Sequence, residues 1–298
     1  MLRAMPAGPG VYRFRDLRGR ALYIGRAVNL RRRVASYWGD LGDRRHLAAM
    51  VRKVCRVEIV ACDSEHEAAW LERNVLERSM PRWNRSVGGQ ESAFYLELND
   101  SAAAPGLRAA FRVGAGCLSF GPYLGGTKTR LAVSALHRLY PLAYTGTRLT
   151  HAERAMAQKR SVAPESRGDL IAAIVAVLQR DTAAVAAARA GLERLRDAAS
   201  AELAFERAQR LQLELSALEW ICAPQKATVA KTQDLVFFGW SAETLVRFEV
   251  VAGRLCDWQI RGCPERTAAP QVALTPPDWA AFATRNAALA AVLRDGLA

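Results

Sequence analysis

"GPGVYRFRDLRGRALYIGRAVNLRRRV", residues 8–34, places two tyrosines on adjacent short apolar runs and follows them with an arginine-studded segment. Gly10 to Asp16 and Ala21 to Gly25 read as strands, and "LRGR" between them as a hairpin turn. Asn29 predicts a helix N-cap, because its side chain can accept an orphan backbone N–H, with the helix running through Tyr37. Tyr12 and Tyr23 sit on paired strands, so their rings can project to one face. Arg26 and Arg33 are two helical turns apart and share a side if both lie on or near the helix. An ordinary hairpin backed by a solvated basic helix is one reading. The other is that both phenols and an arginine converge on a phosphate.

Beyond this stretch, residues 43–53 read as helical and Arg56 to Ala61 ("RVEIVA") as a strand. Ser64 caps a helix carrying Glu67 and Glu72, with Ala68, Leu71, Val75 and Leu76 on its apolar side, and Pro81 ends it. The order is strand, strand, helix, helix, strand, helix. Glu72 can hold a hard divalent cation through oxygen. Asn84, in "PRWN", can tie the following loop down by hydrogen bonds, and Glu77 reads as a surface residue. From about 92 to 145 the sequence offers short strands such as "FYLELN", then "FGPYLGGTKTRLAVSALHRLYPL", a loop followed by a helix. Residues 150–222 are alanine-rich and almost free of breakers, which predicts helices, including a long one from Asp181. After Pro224 come strand-like runs and a final helix from Asp278.

The 298 residues carry a net charge of +13 with a pI near 10, which favours a polyanionic partner. Most of the positive charge is arginine, suited to bidentate phosphate contacts, although a GC-rich genome would give the same bias. About half the residues are hydrophobic, so a sizeable core is expected. No apolar run reaches the length of a membrane span, and the N-terminus lacks the apolar core of a signal peptide. The six cysteines are scattered without a CxxC pair, which argues against a zinc site or a disulfide framework. A soluble, cytoplasmic protein without a membrane partner is expected. His46, His66, His137 and His151 show no ligand spacing.

"GVY" at 10–12 and "YIG" at 23–25, extended by "YIGRAVNLRRRVASYW" and "EAAWLERNVLERSMPRWN", resemble the motifs of the GIY-YIG nucleases. In detail, residues 6–95 are similar to the N-terminal nuclease domain of UvrC-type excinucleases. The resemblance implies a small β-β-α-α-β-α nuclease domain over 1–95; with the helical middle region and the smaller α+β C-terminal region read above, the expected fold class is α+β. The resemblance also implies catalytic roles for Tyr12, Tyr23, Arg26, Arg33, Glu72 and Asn84. Tyr23 is the phenol expected to help deprotonate the attacking water, and Arg33 to stabilise phosphoryl charge. Glu72 is the expected ligand of one Mg²⁺ or Mn²⁺. Arg26 stands where the UvrC type usually has lysine, which keeps the charge but not the point-charge geometry. Arg31, Arg32, Arg44 and Arg45 are expected to bind DNA phosphates without reading sequence.

Downstream, "ASAELAFERAQRLQLELSALE", residues 199–219, has apolar side chains at helical spacing, with "LAFE" as a corner between two helices. It resembles the UVR motif through which UvrC-type proteins contact the UvrB subunit, which implies Phe205, Glu206 and Leu211 as partner-binding residues. A plain amphipathic helix packing within the chain is the other reading. The cysteine quartet that follows in that family is missing between Cys117 and Cys222, so no iron–sulfur cluster is expected. The expected segments are 1–95, 96–194, 195–222 and 225–298, the last of unknown role. Its Trp240, Trp258 and Trp279 suit core packing better than base stacking. The functional expectation is a metal-dependent DNA endonuclease making one single-strand cut on the 3′ side of a lesion, in or beside nucleotide excision repair. Damaged duplex DNA and a UvrB-like protein would be its partners. The alternative is a non-catalytic DNA-binding adaptor that recruits such a partner.

Overall fold

The computed structural model describes residues 4–39, 41–84, 92–114, 116–230 and 232–295, the side chains of 42–44 and 295 excepted. The chain forms two compact units, Met1–Gln90 with Pro224–Ala298, and Glu91–Ala223. These units divide the chain differently from the four expected segments. Residues 225–298 join the first segment in one unit, while the second and third segments fall in the other.

In the first unit, β1 (Gly10–Arg15), β2 (Ala21–Ala27) and β3 (Arg56–Ala61) form an antiparallel sheet in the order β2-β1-β3. Tyr12 pairs with Gly25 on one side and Ile59 on the other, and Phe14 with Tyr23 and Val57. Helices α1 (Leu30–Ala35), α2 (Ala48–Val51) and α3 (Glu65–Arg78) complete the order expected for this segment, a 3-10 turn over Gly42–Leu47 preceding α2. Asn29 caps α1 by accepting from Arg32 N–H at 2.9 Å, but the helix stops at Ala35, short of Tyr37. Strand alternation sends Tyr12 and Phe14 to the face covered by Leu30, Val34, Tyr37 and Met50.

The C-terminal part of this unit has a second antiparallel sheet, β7 (Leu235–Ser241), β8 (Thr244–Val251) and β9 (Arg254–Gly262), followed by α9 (Glu265–Val272) and α10 (Pro277–Asp295). Phe237 stacks on Phe248 and Trp279, and Phe282 of α10 closes the cluster at 5.4 Å from Phe248. Trp240 donates to the Cys263 carbonyl at 2.8 Å, and Trp258 is buried beneath the Arg13 guanidinium, 4.0 Å from its ring centre. All three tryptophans therefore serve packing. Arg13 also joins the two sheets through Glu58 at 2.9 Å and Asp257 at 2.7 Å.

The second unit contains β4 (Ala93–Asn99), β5 (Gly106–Ala110) and β6 (Leu118–Leu124), in the order β5-β4-β6. Helices α4 (Gly126–Leu139), α5 (His151–Lys159), α6 (Arg167–Leu178), α7 (Thr182–Ala201) and α8 (Phe205–Cys222) follow. The middle region is thus helical as expected but also carries a sheet. "FGPYL", read from sequence as a loop, lies in β6. Its Gly–Pro pair is tolerated because β6 is an edge strand whose pairing is irregular opposite Phe94–Leu96.

The turn at 202–204 makes α7 and α8 a helical hairpin, with Leu203 in the left-handed region at φ 59°. Leu211, Leu215 and Leu218 are buried in the unit's own core, so Leu211 does not face a partner as expected. The cause is the apolar stripe Leu211, Leu215 and Leu218 packing into that core, and Glu214, fully buried on the same helix, is held there by Arg138 and Ser134 of α4. Phe205 and Glu206 stay exposed. Among the described residues no single helix is long and apolar enough to cross a membrane.

Candidate active site

Two glycines explain why the tyrosine motifs need their particular neighbours. A Cβ on Gly25 would lie 2.6 Å from Tyr12 Cζ, and one on Gly10 would lie 2.6 Å from Leu30 Cδ1. Glycine at 25 lets the Tyr12 ring cross β2, and glycine at 10 lets α1 settle on the sheet. The phenols then meet. Tyr12 Oη lies 2.7 Å from Tyr37 Oη, and Arg33 Nε donates to Tyr12 Oη at 3.4 Å. The ring centres of Tyr12 and Tyr23 are 6.2 Å apart, and those of Tyr23 and Tyr37 are 6.0 Å apart.

Tyr12 is fully buried, whereas Tyr23 is half-buried and is the phenol open to solvent. Burial, reinforced by the neighbouring Tyr37, pushes both phenols above their ordinary range, and Arg33 opposes this in each case. Both are therefore neutral donors across the physiological range.

Glu72 arrives from α3. Its Oε1 accepts the Arg26 backbone N–H at 3.1 Å, and its Oε2 faces Arg26 Nε at 3.4 Å. Burial raises the Glu72 pKa, and the Arg26 and Arg33 charges pull it back down. Asn84 grips the same edge strand, accepting from Ile24 N–H at 3.0 Å and donating to Ile24 O at 2.7 Å. Trp83 N–H donates to Leu22 O at 3.3 Å. The Leu22 carbonyl, both backbone groups of Ile24 and the Arg26 N–H on the outer edge of β2 are thereby satisfied.

Tyr12, Tyr23, Arg26, Arg33, Glu72 and Asn84 therefore converge, though not all as the spacing suggested. Arg26 lies on β2, so its distance in sequence from Arg33 has no helical meaning. Arg31 and Arg32 are exposed on α1, although Arg31 Nε donates to Met5 O at 2.8 Å; Arg45 is exposed within the 3-10 turn. The Arg44 side chain lies outside the described residues. Glu77 is exposed, as expected of a surface residue, and pairs with Arg73 and Arg254. Tyr37 was not singled out from the sequence; it lies beyond the end of α1 at Ala35, so no helical spacing marks it.

The donor set is oxygen alone, one carboxylate beside phenols, and among the described residues no three His, Cys, Asp or Glu side chains cluster. That chemistry fits a hard divalent cation keeping most of its water, with Glu72 as the protein ligand. The Arg26 guanidinium is ion-paired to Glu72 Oε2 at 3.4 Å, so a cation bound there would share the carboxylate with Arg26.

Residues 8–85 match the sequence profile of the UvrC-like GIY-YIG domain. The chain is 35% identical over 145 residues to the UvrABC system protein C of Geobacter metallireducens, covering 48% of this chain and 24% of that protein. It is 30% identical over 272 residues to the UvrABC system protein C of Gloeobacter violaceus, covering 85% of this chain and 43% of the relative. The chain thus spans less than half the length of these relatives. Among solved structures it is similar to a point mutant of the GIY-YIG N-terminal endonuclease domain of Thermotoga maritima UvrC, bound to its catalytic divalent cation. That match is 27% identical, covers 28% of this chain and 91% of the other, and has a TM-score of 0.27.

Proposed function

We propose, on the premise that residues 8–85 form a UvrC-like GIY-YIG domain, that the chain is a divalent-cation-dependent DNA endonuclease. It hydrolyses one phosphodiester, on the 3′ side of a lesion, in nucleotide excision repair. The observation that carries this reading is that half-buried Tyr23 lies within electrostatic reach of both Arg33 and Glu72, beside the buried phenols of Tyr12 and Tyr37.

Tyr23 presents its hydroxyl to the water that attacks phosphorus. Its proton leaves only when nearby positive charge lowers its affinity, which Arg33 supplies in part. Arg33 also faces the charge that builds on the phosphoryl oxygens. Glu72 is the residue that would hold a Mg²⁺ or Mn²⁺ ion, which would supply Lewis-acid stabilisation of the charge that develops during phosphodiester hydrolysis. Tyr12 and Asn84 are positioning residues: Tyr12 anchors Arg33, and Asn84 fixes the strand bearing Tyr23 and Arg26. Arg31, Arg32 and Arg45 bind backbone phosphates without reading bases.

Phe205 and Glu206, exposed at the corner of the α7–α8 hairpin, are the surface offered to a UvrB-like protein. The second reading, a DNA-binding adaptor without catalysis, is favoured by one observation: the Arg26 side chain sits against the carboxylate that would hold the cation. The test is an end-labelled duplex with one defined lesion, incubated with Mg²⁺ with and without a UvrB-type protein. One cut on the 3′ side supports the nuclease. DNA binding with no cut under either condition supports the adaptor.

A further inference from the structure

The C-terminal segment reaches the phenol-bearing core through Leu289 and Leu293 of α10, and it also grips from behind the helix that carries Glu72. Asn74 stands two residues past Glu72 on α3, about 200° around the helix axis. Its buried amide is fully engaged by that segment: Nδ2 donates to Ala227 O at 3.0 Å and to Thr228 Oγ1 at 2.9 Å, and Oδ1 accepts from Arg254 Nε at 2.9 Å. The Arg254 guanidinium also pairs with Glu77. Nearer the start of α3, Glu67 accepts the Lys226 N–H at 3.0 Å, and the capping Ser64 donates to Pro224 O at 2.5 Å. Glu67, Asn74 and Glu77 follow one stripe of the helix, roughly opposite Glu72, while Ser64 is held at the N-cap.

We infer that Asn74 and Arg254 are positioning residues for Glu72, through which residues 224–298 set how far its carboxylate projects toward β2. The inference rests on Glu72 being the cation ligand. Hydrogen bonds have narrow distance limits, so those of Glu67, Asn74 and Glu77 along one stripe, with the Ser64 cap, fix both the rotation and the depth of α3. A ligand carried on the opposite side inherits that placement, as residues behind metal ligands do elsewhere.

The test uses the full chain and measures Mn²⁺ binding by calorimetry, with thermal unfolding as the fold control. Wild type, Glu72→Gln, Arg254→Met, Arg254→Lys and Asn74→Ala are compared. The expected result is Mn²⁺ binding lost in Glu72→Gln and weakened about tenfold in Arg254→Met and Asn74→Ala, with partial recovery in Arg254→Lys. Arg254 has a side chain 35% exposed, so its variants carry the decision if Asn74→Ala fails to fold. Binding within about twofold of wild type in folded Arg254→Met, with Glu72→Gln still inactive toward Mn²⁺, overturns the positioning role and leaves the Glu72 reading intact. Absence of Mn²⁺ binding by wild type overturns both.

Discussion

Asn84 holds Ile24 with both ends of its amide, accepting from the Ile24 N–H at 3.0 Å and donating to its carbonyl at 2.7 Å. Asn286 treats Ala61 the same way at the other edge of the sheet, at 2.7 and 3.2 Å. A three-stranded sheet has two unpaired edges, and here an asparagine closes each. Asn84→Asp keeps the acceptor but turns a carboxylate oxygen toward the Ile24 carbonyl. It should cost about 1–3 kcal/mol in urea denaturation, and Asn84→Ala a similar amount. A loss below that range would mean the edge is satisfied without Asn84.

Gly25→Ala should be a functional lesion more than a folding one. The new methyl would press on Tyr12 Cζ, 2.6 Å from the ideal Cβ, and shift the phenol that anchors Arg33. A displacement near 1 Å at such a site lowers turnover about a hundredfold. Nicking should fall by that order while DNA affinity, measured by gel shift, stays near wild type.

Arg13→Met tests whether residues 224–298 belong to the nuclease unit. Arg13 is 5% exposed and links Glu58 of β3 to Asp257 of β9. Removing it leaves Asp257 without that partner and weakens the set around Glu58. The expected loss is about 3–5 kcal/mol by chemical denaturation. Arg15→Met, which touches Glu58 but not the C-terminal sheet, should cost less.

Burial raises the Glu72 pKa against the pull of Arg26 and Arg33. A raised carboxylate pKa means that protons displace a cation at a higher pH than at an ordinary glutamate. Mn²⁺ binding should therefore decline on acidification while the pH is still above about 4.3. Removing the Arg26 charge with Arg26→Met should move that decline to higher pH still. A midpoint unchanged by Arg26→Met would contradict the electrostatic account of the site.

The hairpin, the Asn29 cap and the α3 cap at Ser64 were legible because each depends on a few neighbouring residues. The partnership of 224–298 with the N-terminal sheet was not, because its contacts join residues far apart in sequence, such as Asn74 and Arg254. No local period encodes them. Tyr37 was missed because α1 ends before it, so its ring returns to the sheet from a turn. Leu211 was assigned to a partner because its spacing is equally that of a core helix. The buried Glu214, held in the same core, looked like one more surface charge. "FGPYL" escaped as a strand because an edge position tolerates residues that an inner strand would not.

The most direct test of the account is cation-dependent nicking of an end-labelled duplex by wild type, Tyr23→Phe and Glu72→Gln, with DNA affinity measured on the same preparations. The account predicts a Mg²⁺- or Mn²⁺-dependent nick by wild type, abolished in Glu72→Gln and strongly reduced in Tyr23→Phe, with DNA still bound by all three. Nicking that persists undiminished in Glu72→Gln would contradict it.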